Sequence, residues 1–103
     1  MTEHWVVELS HDAKKQYLKL KRSGDSRRPS LMDLTDALVL DLKLNGPVMR
    51  NWPNYSPIEN RNGCFHHCHL RKGKPTYVAC WRTNEKEKYI EVFYVGTHQG
   101  APY

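Results

Sequence analysis

The chain has 103 residues, with 16 lysines and arginines against 11 aspartates and glutamates and a formal net charge of +5. This size fits one domain around a single modest core, and the charge favours polyanionic partners such as RNA, DNA or an acidic protein. No apolar run approaches the ~18 to 20 residues that cross a bilayer as a helix, which excludes a helical membrane protein. Three cysteines, Cys64, Cys68 and Cys80, form an odd set without the spacing of a disulfide framework, and the N-terminus shows no charged-then-apolar signal segment. A reducing cytoplasm is the expected location.

Trp5, Val6 and Val7 mark residues 4–9 as a first strand, and Ser10 is placed to cap a helix. Ala13, Tyr17 and Leu20, spaced by four and three, give that helix its apolar stripe until Ser23-Gly24 stops it. Lys14, Lys15, Lys19, Lys21 and Arg22 lie on its other faces and read as a solvated surface that adds a positive field. Beyond the polar link 25–28, Pro29 fits a first helical turn, and Leu31, Leu34, Leu38 and Leu42 repeat at helical spacing. Asn45-Gly46-Pro47 ends this second helix, with Gly46 suited to a left-handed cap. Residues 48–63 are turn chemistry, with Trp52 and Tyr55 set among prolines, and predict a long ordered loop.

Three strands follow, over residues 65–71, 76–83 and 89–95, joined by short polar hairpins. The expected fold is α+β, a single domain over residues 1–103 of order β-α-α-β-β-β, with a small antiparallel-dominated sheet. A long crossover brings the first strand back into the sheet, both helices cover one face, and the opposite face stays partly open.

Four of the six histidines fall in the last forty residues, in Phe65-His66-His67-Cys68-His69-Leu70-Arg71 and at His98. Histidine exchanges protons near neutral pH, so such a cluster points to acid and base chemistry on an anionic substrate. Alternation puts Phe65, His67, His69 and Arg71 on the open face, and His66, Cys68 and Leu70 on the helix side against Val78 and Cys80. Tyr77, Ala79 and Trp81 are then expected on the open face. There Tyr77 and Trp81 are candidates for stacking RNA bases, with packing beneath the loop an equal reading for Trp81. Arg50, Lys72 and Lys74 complete the candidate RNA-binding set. Gly96 permits a turn that carries His98 back across the sheet, the alternative being a frayed tail. His67 and His69 are the best candidates for a metal, but no paired knuckle accompanies them, so no metal and no cofactor are expected.

Asn51-Trp52 with Tyr55, Cys68-His69-Leu70, and Gly96-Thr97-His98 with a terminal aromatic recur in this order on these elements in one family. With them, the chain resembles the RelE/ParE superfamily of toxins from bacterial toxin–antitoxin pairs, most closely the YafQ-like mRNA interferases. The resemblance implies a RelE-like fold, metal-independent cleavage of mRNA on the ribosome, a cognate antitoxin, and no small-molecule cofactor. His98 corresponds to the tail histidine and is the expected acid. His69 corresponds to a strand histidine, as base or phosphate donor, and Tyr103 lies near the terminal aromatic that positions or stacks. Arg71 is the expected stabilising cation. The branch carries a further histidine where this chain has Gly46, for which His67 is the expected substitute, and an acidic residue that Lys72, Gly73 and Lys74 do not match. Two alternatives stay open: a ParE-like inhibitor of DNA gyrase that cleaves nothing, and a catalytically degenerate scaffold that binds an antitoxin.

Overall fold

A computed structural model describes residues 4–20, 30–58 and 65–103 of the chain. The expected helix stop at Ser23-Gly24, the Pro29 turn, Lys21, Arg22 and Cys64 lie outside the described residues. Strand β1 (Val6–Leu9) leads into helix α1 (His11–Leu18), where the Ser10 side chain accepts the Ala13 amide at 3.1 Å. Helix α2 (Leu31–Asn45) is capped by Ser30. The Ser30 hydroxyl accepts the Asp33 amide while the Asp33 carboxylate accepts the Ser30 amide, a reciprocal cap that satisfies two otherwise unpaired donors.

The sheet holds five strands in the order β1-β5-β4-β3-β2, with β2 at Ser56–Pro57, β3 at Phe65–Arg71, β4 at Tyr77–Asn84 and β5 at Tyr89–Thr97. β1 runs parallel to β5 and the remaining neighbours are antiparallel. The short β2 is an addition to the expected order, formed inside the loop where Ser56 pairs with His67 and Pro57 with His66. Ala13, Leu38 and Leu42 of the helices pack on Cys68, Leu70, Ala79, Trp81, Ile90, Val92 and Val95 to form the core. β1 ends at Leu9, and farther along β5 the Gln16 side chain of α1 accepts the Val95 amide at 2.9 Å.

Two expectations about facing are corrected by strand register. Cys68 pairs with Ala79 and His67 with Cys80. Ala79 and Trp81 therefore join Cys68 and Leu70 beneath the helices, while Val78 and Cys80 take the opposite face. Alternation sorts the residues of one strand, but only the hairpin register decides which residue of the next strand stands opposite. Trp81 is 0% exposed, its indole N–H donates to Pro47 O at 2.9 Å, and it cannot stack an RNA base. Tyr77 likewise packs half-buried against the core.

Arg71 is the second correction. The β3–β4 register steps from His69 opposite Val78 to Arg71 opposite Tyr77, so Leu70 and Arg71 together oppose one residue. This β-bulge puts Arg71 on the side of Tyr77 and removes it from the row of His67 and His69. A second bulge shifts β5 between Val92 and Tyr94. It lets Val92 and Val95 both enter the core while Phe93 meets Phe65 edge-on, at 5.5 Å between ring centroids.

Gly46 does not adopt a left-handed cap, having φ −56° and ψ 175°. A Cβ there would lie 2.5 Å from Leu42 O and 2.8 Å from Ile90 Cδ1, so glycine is required by close approach of backbone to core. A histidine has no room at this position.

Candidate active site on the tail side of the sheet

The sheet face away from the helices is not open over its whole area. After β5 the chain turns back, the His98 amide donating to Thr76 O at 2.8 Å and the Tyr94 hydroxyl to Thr97 O at 2.7 Å. Residues 97–103 then cross this face, and Val78 and Cys80 are fully buried although they point away from the helices. Burial pushes the Cys80 thiol up to about 12 and raises that of Cys68 further, so both stay protonated and unreactive as thiolates.

This return gathers four rings. His69 and His98 meet edge to face at 5.7 Å between centroids. His98 meets Tyr103 edge to face at 5.8 Å, and Tyr103 lies flat on His67 at 4.2 Å. Beside them a cleft of about 480 Å³ is lined by His69, Gly73, Lys74, Pro75, Thr76, His98 and Gln99. The backbone amide of His69 donates to Pro53 O at 2.8 Å, so the loop after α2 is tied to the strand that carries the site. Asp41 holds the other end of that loop. Its carboxylate accepts Asn45 at 2.8 Å, Trp52 Nε1 at 2.8 Å and Asn51 at 3.2 Å, and the bonds from Asn45 and Trp52 chiefly lower its pKa.

The electrostatics keep the site's strand histidines neutral more readily than free imidazole. Burial lowers the His69 pKa first, followed by the charges of His98 and Lys72. Burial also lowers that of His67, followed by His69 and His98. Tyr103 is pushed up to about 12, chiefly by burial, and stays a phenol that donates and stacks.

His67, His69, His98 and Tyr103 thus come together, with Lys74 on the cleft wall and Lys72 close enough to act on His69. Arg50, Tyr77, Trp81 and Arg71 do not join them. Arg50 lines a separate cleft with Tyr55, Ser56, His66 and Glu85, beside the β2 edge of the sheet. Among the described residues no group of three or more histidine, cysteine, aspartate or glutamate side chains is arranged to hold a metal ion. Sequence reasoning missed Ser56, whose hydroxyl lies 2.9 Å from His67 Nε2. It sits among turn residues, and only the β2–β3 pairing reveals its neighbour.

A crystal structure of a metal-bound toxin from Helicobacter pylori superposes on the chain with a TM-score of 0.60. The match covers 92% of this chain and 96% of that one at 19% identity. The likeness is one of fold. No protein-family model and no curated protein matches the sequence. Among the described residues no helix is long and apolar enough to cross a membrane.

Proposed function

We propose that this protein is the toxin of a bacterial type II toxin–antitoxin pair and that it acts as an endoribonuclease on ribosome-bound mRNA. The observation that carries the reading is the His69–His98 contact at the mouth of a cleft walled by Lys74. Fold similarity to the Helicobacter pylori toxin supports the toxin assignment. RelE-like kinship and a cognate antitoxin covering the cleft belong to the same proposal.

In this reading the RNA 2′-oxygen attacks the adjacent phosphorus, the bond from phosphorus to the 5′-oxygen breaks, and a 2′,3′-cyclic phosphate and a 5′-hydroxyl result. Protonated His98, exposed on the tail, gives its proton to the departing 5′-oxygen. His69 donates to a phosphate oxygen, and Lys74 and Lys72 take the charge-balancing role expected of Arg71. Tyr103 stacks on the substrate.

Induction in a bacterial host, with primer extension on a reporter message, tests the reading. New cuts in translated mRNA that vanish in His69→Ala and His98→Ala are expected. Growth arrest with intact message and a DNA-damage response would overturn it in favour of gyrase inhibition.

A further inference from the structure

Where β2 meets β3, Ser56 and His67 are paired residues, and the Ser56 hydroxyl lies 2.9 Å from His67 Nε2. The other ring nitrogen, Nδ1, is sealed from solvent and has no hydrogen-bond partner among the described residues. Tyr103 lies flat against the same ring, with the two planes 17° apart. A buried polar atom without a hydrogen-bond partner calls for an explanation, of which a catalytic role is one.

The arrangement favours the tautomer protonated on Nε2, since a proton on Nδ1 would leave a buried N–H donor unsatisfied. With the proton on Nε2, that nitrogen donates to Ser56 Oγ and Nδ1 is left with a lone pair. A neutral imidazole with one nitrogen anchored by its N–H and the other free is the form a general base requires.

We propose that His67 is the catalytic base that removes the 2′-hydroxyl proton, that Ser56 is its positioning residue, and that Tyr103 covers the face of the His67 ring until RNA displaces it. The proposal rests on the ribonuclease reading above. It assigns the proton acceptor which that reading leaves open, and which Gly46 cannot replace.

The step balances. His67 Nδ1 takes the 2′-hydroxyl proton as the bond from the 2′-oxygen to phosphorus forms. The bond to the 5′-oxygen breaks, and His98 supplies that oxygen with its proton. His67 ends protonated and His98 neutral, and exchange with water restores both. Tyr103 touches both rings, 4.2 Å from His67 and 5.8 Å from His98 between centroids, so it occupies the space between base and acid that the substrate needs. Among the described residues the titratable side chains around His67 are His69 on its own strand, Cys80 on β4, and His98 and Tyr103 on the tail. Burial and the neighbouring imidazoles favour the neutral form, so the base is ready below the ordinary histidine pKa.

Nitrogen-15 NMR of the full chain without RNA tests the anchoring. His67 is expected to be neutral with its proton on Nε2. Ser56→Ala is expected to give mixed tautomers and Ser56→Thr to restore a single one. Tyr103→Ala is expected to speed acylation of His67 by diethyl pyrocarbonate several-fold. Cleavage tests the chemistry, with folding checked on the same samples. His67→Asn is expected to lose roughly 10²- to 10⁴-fold in rate. Ser56→Ala is expected to lose about 10-fold in kcat at unchanged KM, with the rising limb of the pH profile moved toward the ordinary histidine value. A proton on Nδ1 in the wild type overturns the Ser56 role. A fully active His67→Asn beside an inactive His98→Ala overturns the base while leaving the ribonuclease reading intact. Wild type that cuts no message removes that reading and the base together, whereas the NMR result still decides the anchoring.

Discussion

His66 and His67 are neighbours in sequence and sit in opposite worlds. His66 points beneath the helices, 5% exposed, stacked with Tyr55 and Trp81 at 5.9 Å each, and its Nδ1 is bonded to the Tyr55 hydroxyl at 2.8 Å. His67 points to the tail side, under Tyr103 and beside a cleft, with one nitrogen bonded and the other bare. The first ring belongs to a packed aromatic stack; the second belongs to a group of rings held together by a returning tail. An imidazole on a strand therefore acquires its role from which face the pleat gives it and from what its ring meets there.

Removal of one ring on each side breaks this contrast most sharply. His98→Ala is expected to lower cleavage of translated message by roughly 10²- to 10⁴-fold. Its stability should stay within about 0.5 kcal/mol of wild type, because the side chain is exposed. Trp81→Ala empties the centre of the other stack, and urea denaturation is expected to show a loss of about 3–5 kcal/mol. Its cleavage should fall only in proportion to the folded fraction, whereas a base-stacking Trp81 would abolish turnover in a protein that still folds.

Gly46→Ala tests the helix-side packing with a single methyl. The new Cβ meets the Leu42 carbonyl and the Ile90 side chain, and a loss of about 1–3 kcal/mol is expected, read from the same denaturation curves. Acid gives the mildest and broadest effect. His66, His67 and His69 have folded-state pKa values lowered from 6.5. The unfolded chain thus binds more protons below that point. Their contribution is present in full above about pH 6.5 and is lost as pH falls through the lowered values. The melting temperature is expected to fall between pH 7 and pH 5, and His66→Asn should flatten that slope.

Much of the architecture was legible in local chemistry. Ser10 caps α1 as expected, and the stripe of Leu34, Leu38 and Leu42 packs on the core. The meander follows the alternation of β3, whose burial switches at every residue. Gly46 ends α2 through close packing rather than a left-handed cap, since its neighbour in space is Ile90, forty-four positions away in sequence. Of the site, His67, His69, His98 and Tyr103 come together, but Ser56 carried no local signal, and Arg71, Tyr77 and Trp81 face the helices.

The sequence by itself determined the helices, the meander strands and the face shared by His67 and His69, because caps, periodicity and pleat act within a few residues. Only the tertiary structure decided what stands opposite them. The offset of one hairpin buried Trp81, a bulge turned Arg71 away, and the return of residues 97–103 brought His98 and Tyr103 onto β3. These are pairings between distant segments, whose energy lies in packing and hydrogen bonds that no single segment contains.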